Sequence, residues 1–294
     1  MRSNHQKEHR SLKGLERPDA SRAFLFYRMS HLRDMGKSIL ITGAGSGIGR
    51  ATALKAAESG YRVVLVGRRP VPLEETHRAL SGDNHVVMSC DVADRVAFQE
   101  GLVKSLGEPG SGASPLVAVF ANAGIGGSNH YEDGEALDRW GAIMRANVTG
   151  VYVTLNACKP YLLASGQQVT HAVATSSVLA RFGVPNQSAY VTSKTAVLGL
   201  VRSLAAEWGP DGILVNALCP GWVETEMARE SIQRMADSQG LSFAECMAQQ
   251  CAMLPTGRMS SPEDMADVVL WMVSEKQKSM TGQGLDVNNG SWMS

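Results

Sequence analysis

Cysteine is scarce and poorly spaced for chemistry. The five thiols, Cys90, Cys158, Cys219, Cys246 and Cys251, include no pair with the two-residue spacing of a zinc or redox motif, and no histidine cluster joins them. Cys246 and Cys251 could meet across a helix, but buried or idle thiols are expected, with no metal site and a reducing, cytoplasmic compartment. Long apolar runs are also missing. None approaches the roughly 18 residues of a membrane-spanning helix, so no membrane is expected as a partner. Nor is there an excess of one charge: 28 basic and 28 acidic residues give a formal net charge of zero. That balance removes the global field that would recruit nucleic acid or an anionic membrane.

What is present suits a globular protein. At 294 residues, 44% hydrophobic and 19% charged, the chain can bury a substantial core as one large α/β domain or two small ones. Met1 to Met35 stands apart, rich in Arg, Lys, His and Ser. Its only apolar knot, Ala23 to Tyr27, is too short for a secretory signal, and Glu8, Glu16, Asp19 and Asp34 argue against an organelle transit peptide. Residues 1–36 are expected to be a disordered extension or the product of an upstream start codon. The catalytic domain is then expected over 37–294.

From Lys37, short β-branched runs alternate with longer amphipathic ones, the pattern of βαβ units and a parallel sheet. Strands are predicted over Ser38–Thr42, Arg62–Val66, His85–Ser89, Leu116–Phe120, Val169–Thr175, Ile213–Leu218 and Gly284–Val287. Helices are predicted over Ile48–Ser59, Pro72–Leu80, Arg95–Leu106, a pair between Gly134 and Leu163, then Ser188–Trp208 and Pro262–Val273. Thr225 to Met253 is polar and methionine-rich with weak periodicity, and it is expected to be a lid spanning about 225–256. The count gives a single α/β doubly wound (Rossmann) domain with about seven parallel strands and helices on both faces.

Two constellations carry the chemistry. The first is the turn Thr42-Gly43-Ala44-Gly45-Ser46-Gly47-Ile48-Gly49 between the first strand and the first helix. Glycines there let the backbone turn sharply and approach a pyrophosphate, while the helix N-terminus offers unpaired N–H groups and a positive dipole end. Its spacing is Gly43-x-x-x-Gly47-x-Gly49, and no G-K-[ST] makes it a Walker loop. At the end of the second strand an acid would hold a ribose 2′-OH and a base a 2′-phosphate. The chain has Val66-Gly67-Arg68-Arg69, which favours NADP(H) and leaves NAD(H) possible. Asp91, after the third strand, can accept from an adenine amino group. Asn122-Ala123-Gly124 places an amide and a bare backbone at the carboxyl edge of the sheet, where such folds bind ligands.

The second constellation is Tyr190 and Lys194, four apart on one helical face, with Ser177 at the end of the fifth strand and Asn147 in an earlier helix. A phenol near pKa 10 is a poor acid or base at neutral pH. A neighbouring ammonium stabilises the phenolate and lowers that value toward what general acid–base catalysis needs.

These motifs, in this order and spacing and together with Pro220-Gly221, resemble the classical short-chain dehydrogenase/reductase family from Lys37 to the C-terminus. The resemblance implies that Tyr190 donates or accepts the proton and that Ser177 holds the substrate oxygen. It implies that Lys194 binds the nicotinamide ribose and acidifies Tyr190, while Asn147 holds a relay water. Gly43, Ser46, Gly47, Ile48, Gly49, Arg68, Asn122 and Gly124 would contact the dinucleotide. Asp91 and Val92 would hold adenine, and Pro220, Gly221, Val223 and Thr225 the nicotinamide. Relatives assemble as homodimers or homotetramers, and the same is expected here.

For substrate, Trp222, Met227 and Met253 could line an apolar pocket, and Arg181 could hold a carboxylate or be an exposed loop arginine. Leu179 stands where hydroxybutyrate-specific members carry histidine. Cys219 to Met227 resembles ketoreductases of acyl or polyketide chains, an analogy at the level of the fold. The leading reading is an NADP(H)-dependent carbonyl reductase or secondary alcohol dehydrogenase acting on a small molecule. A catalytically idle NADP(H)-binding scaffold or sensor is the alternative, disfavoured by the intact set of four. An epimerase or dehydratase would be expected to carry a longer C-terminal region.

Overall fold

Near-continuous apolar runs mark strands covered on both faces, and here they form one parallel sheet. The computed structural model describes residues 36–111, 114–134 and 138–293. Its strands are β1 (Ser38–Thr42), β2 (Arg62–Gly67), β3 (Val86–Ser89), β4 (Leu116–Ala121), β5 (Thr170–Thr175), β6 (Ile213–Pro220) and β7 (Gly284–Val287). They lie in the order β3-β2-β1-β4-β5-β6-β7, each pairing parallel. The expected extension lies outside the described residues, Gly36 excepted.

The main helices are α1 (Gly47–Glu58), α2 (Pro70–Ala79), α3 (Arg95–Leu106), α4 (Trp140–Met144), α5 (Gly150–Leu163), α6 (Ser188–Trp208), α7 (Glu226–Gln239), α8 (Phe243–Ala252) and α9 (Pro262–Met272). Successive strand side chains point to opposite faces. Leu40, Val64, Val66 and Val119 therefore join Phe98, Leu155, Val197 and Trp208 from α3, α5 and α6 on one side. Ile39, Ile41, Val63 and Phe120 join Ala53 and Ala56 of α1 and Val269 and Met272 of α9 on the other. α1 stops at Gly60, whose φ of +84° is the left-handed conformation that favours glycine. No helix among the described residues is long and apolar enough to cross a membrane.

Two stretches differ from the sequence reading. The helical pair begins at Trp140, since Gly134 is non-helical at φ +79°. The lid is two well-formed helices, α7 and α8, with their own small core of Ile232, Ala236, Cys246, Leu254 and Met259. The five cysteines are free, and Cys246 and Cys251 are five apart on α8 and unbonded.

One buried group makes the sheet acid-sensitive. His171 of β5 is 3% exposed, its Nδ1 has no partner, and burial pulls its pKa down to about 4. An unfolded imidazole titrates near 6.5, so between the two values the unfolded chain binds more protons. Stability is intact above the upper value and falls by about 3 kcal/mol as pH drops to the lower one. His171→Leu is expected to flatten that acid limb in urea midpoints measured across the interval. Equal slopes in both proteins would assign the limb to another group.

Candidate active site

The site begins where the sheet order reverses between β1 and β4, the place such sheets bind ligands. Gly43 (φ +68°) and Gly47 (φ +51°) are left-handed, and a Cβ on Gly49 would stand 2.3 Å from the Gly43 carbonyl oxygen. Only bare backbone fits this turn. Ser46 precedes α1 without capping it through its side chain, so the first-turn N–H groups are left for a ligand. Gly43, Ser46, Arg68, Arg69, Asp91, Val92 and Gly124 all line one cavity of about 260 Å³. A glycine cradle, orphan helix donors and arginines together fit a dinucleotide. Ile48 packs against the core, so its backbone is the part available to phosphate.

Asp91 is well anchored. Its Oδ1 accepts from Ala93 N at 3.0 Å and its Oδ2 from Arg145 Nη2 at 3.0 Å. Burial pushes the carboxyl up, but those bonds and the charges of Arg145 and Arg68 outweigh it and hold it below its ordinary range.

The Asn122 side chain is a brace between strands. Its Nδ2 donates to Thr42 O (3.1 Å) and its Oδ1 accepts from Thr175 Oγ1 (3.1 Å), while Thr42 Oγ1 accepts from the N–H groups of Asn122 and Ala123 (2.9 Å each). The amide is therefore spent tying β1 to β5. Thr175 passes the connection on, because its carbonyl accepts from Lys194 Nζ at 2.9 Å. Gly124 closes the gap: it lines the cavity, and a Cβ on it would lie 3.5 Å from Lys194 Nζ and 3.0 Å from Asn147 Oδ1.

Lys194 is 4% exposed, and burial pulls its ammonium down to about 8. Its Nζ lies 5.5 Å from the Tyr190 ring centroid. Burial raises the Tyr190 pKa, and the Ser177 hydroxyl beside it pulls only partly the other way. Ser177 lies two residues beyond β5, where its Oγ accepts from Leu179 N (3.1 Å). Ser176 is spent on α6, donating to Lys194 O at 2.8 Å.

Asn147 is fully buried in a π-helical turn, Arg145–Thr149. Its Nδ2 donates to Ile125 O and Ser193 Oγ (3.0 Å each), and its Oδ1 accepts from Ile125 N (2.8 Å). These bonds occupy the side-chain amide. Ser193, missed in the sequence, donates on to Tyr190 O (2.8 Å).

At the opposite wall, a Cβ on Gly221 would meet Asn288 at 2.9 Å, and one on Gly47 would meet Thr225 at 3.1 Å. Thr225 caps α7 by accepting from Ala228 N. Pro220 ends β6, and Val223 turns its side chain into the core, leaving backbone toward the cleft. Trp222 packs on the lid's own core, and Met253 is 66% exposed. Met227 is the lid residue near Tyr190: both flank Gly126, whose Cβ would stand 3.1 Å from Met227 Sδ and 3.9 Å from Tyr190 Cε2. Arg181 is not a substrate anchor. It forks onto Asp286 (3.2 and 3.1 Å) and donates to Gly284 O (3.0 Å), fastening its loop to β7.

Residues 43–291 match the family model described as enoyl-(acyl carrier protein) reductase. A 2,5-dichloro-2,5-cyclohexadiene-1,4-diol dehydrogenase from Sphingobium indicum is 34% identical over 257 residues, covering 87% of this chain and 96% of its own. The 3-oxoacyl-(acyl-carrier-protein) reductase FabG of Staphylococcus aureus is 30% identical over 263 residues, covering 88% and 99%. Among solved structures, an actinorhodin polyketide ketoreductase with NADPH is similar at a TM-score of 0.77 and 28% identity, covering 88% of this chain and 98% of that one.

Proposed function

The chain belongs to the short-chain dehydrogenase/reductase family and is a ketone/alcohol oxidoreductase; from that premise we propose that it works with NADP(H) and uses Tyr190 as general acid/base. The observation that carries this reading is the unbroken run of contacts from the glycine turn through Asn122 and Thr175 to Lys194, beside Tyr190. The cofactor, when bound, supplies or accepts a hydride at its nicotinamide ring. The glycine turn and the N-terminus of α1 would hold its phosphates, Arg68 its 2′-phosphate, and Asp91 and Val92 its adenine. Lys194 would hold the nicotinamide ribose, and Pro220, Gly221, Val223 and Thr225 the ring itself.

The Tyr190 hydroxyl, a phenol that titrates near 10 when free and that burial raises further, is protonated at neutral pH, the form that gives its proton to a substrate oxygen as an alcohol forms. Ser177 donates to the same oxygen. Asn147 contributes by fixing the Ile125 segment and Ser193. The substrate is a small hydrophobic or acyl/polyketide-like ketone, a reading supported by Met227 and bare Gly126 beside Tyr190. A cytoplasmic homodimer or homotetramer completes the picture, supported by the half-exposed Tyr152 and Leu163 on α5.

Oxidation of NADPH and NADH against a panel of ketones and acyl thioesters tests the proposal. Cofactor binding without any turnover would instead identify a scaffold. Arg68→Asp tests the cofactor choice. It removes a charge-assisted bond and sets a carboxylate against the 2′-phosphate, so the NADP/NAD ratio of kcat/KM is expected to fall about a hundredfold. An unchanged ratio would remove Arg68 from the 2′-phosphate site.

A further inference from the structure

Helix α4 passes into α5 through the π turn Arg145–Thr149, a distortion that is frequent at functional sites. This turn is fastened at both ends to one short segment after β3. At its start Arg145 Nη2 holds Asp91 Oδ2 (3.0 Å). Just past its end, a Cβ on Gly150 would stand 2.6 Å from Val92 Cγ2. Asp91, Val92, Arg145 and Ala146 all line the cavity. In the middle of the turn, Asn147 grips Ile125 and Ser193, and Ser193 Oγ donates to the Tyr190 carbonyl. A continuous path thus runs from the cavity wall to the backbone of Tyr190.

The Arg145–Asp91 pair is a poor stability device, since the side chains are 56% and 35% exposed and exposed pairs contribute little to folding. Its geometry instead serves orientation. With Oδ1 on Ala93 N and Oδ2 on Arg145, the carboxylate cannot rotate, and its remaining lone pairs are fixed for an amino group in the cavity.

We propose that Arg145 is a positioning residue that holds Asp91 for the adenine end of the cofactor and ties occupancy of that end to the setting of the Asn147 turn. The second half rests on the function proposed above, whereas the first needs only binding. Arg145→Met and Arg145→Lys are compared with the parent by calorimetry, using adenosine 2′,5′-bisphosphate, NADPH and NADH. Ketone reduction is compared with NADPH and with reduced nicotinamide mononucleotide, which has no adenine.

Arg145→Met is expected to weaken all three adenine-bearing ligands by one common factor, about tenfold, as loss of an oriented charged contact predicts. Lysine is expected to restore part of that. The kcat with NADPH is expected to fall while turnover with the mononucleotide matches the parent. Unchanged or tighter binding would overturn the first half. An equal loss with mononucleotide and NADPH would overturn the tie to adenine. A parent that reduces no ketone would defeat the proposed function, while calorimetry still decides whether Arg145 serves the adenine end.

Discussion

Tyr190→Phe is expected to lower kcat by roughly 10²–10⁴-fold, the range for losing a positioned general acid, while leaving the Kd for NADPH almost unchanged. The substitution deletes one oxygen and keeps the ring that packs beside Gly126 and Met227 and faces Lys194 Nζ at 5.5 Å. The loss is therefore chemical, not a matter of packing. Ser177 cannot substitute, because a serine hydroxyl is a much weaker acid than a phenol. The pH profile carries a second signature. Because burial raises the phenol, its proton-accepting form grows only toward alkaline pH, so alcohol oxidation by the parent should climb with pH, and the Phe variant should lack that climb. Steady-state kinetics in both directions with calorimetry of NADPH binding check this. Retained turnover in the variant would remove Tyr190 from the chemistry.

The parts of the molecule built from local rules are legible in the amino-acid sequence itself. The apolar runs and the glycine turn sit in the fold where the pattern puts them, and α6 starts at Ser188 and ends at Trp208 as predicted. What escapes depends on partners far apart in sequence. Nothing around Arg181 announces Asp286, 105 positions away, so an ion pair inside the scaffold reads as a candidate substrate anchor. Asn122 carries the family's pattern, yet its amide braces β1 and β5, a role visible only when Thr42 and Thr175 are brought beside it.

The lid is hard for another reason. In α7 the buried residues are Ala228, Ile232 and Ala236. Their four-residue spacing is helical, but two alanines give little apolar contrast against a polar segment. The capping box of Ser242 and Glu245 is a usable signal for the start of α8. The π turn has no such signal, since the hydrophobic spacing around Asn147 reads as ordinary helix.

Lys194→Met is expected to separate stability from function at one side chain. The ammonium is buried, and its pKa falls to about 8, whereas an unfolded lysine titrates near 10.4. Between those values the unfolded chain holds more protons, so stability rises with pH across the interval. Below it the whole cost of burying the charge is present, about 3 kcal/mol; above it the cost is gone. Methionine carries no charge and should show no such slope. The variant also strands the Thr175 carbonyl that Lys194 Nζ occupies at 2.9 Å, a loss of about 1–3 kcal/mol that offsets part of the gain at neutral pH. Urea midpoints across the alkaline interval should therefore show the parent rising relative to the variant, and parallel curves would refute the assignment of that slope to Lys194. Turnover moves the other way. Without a cation to hold ribose and steady a phenolate, kcat/KM should drop about a hundredfold or more. A charge held at a cost until a ligand gives it a partner is how a stable fold can carry an active site, and this lysine puts that cost within reach of a titration.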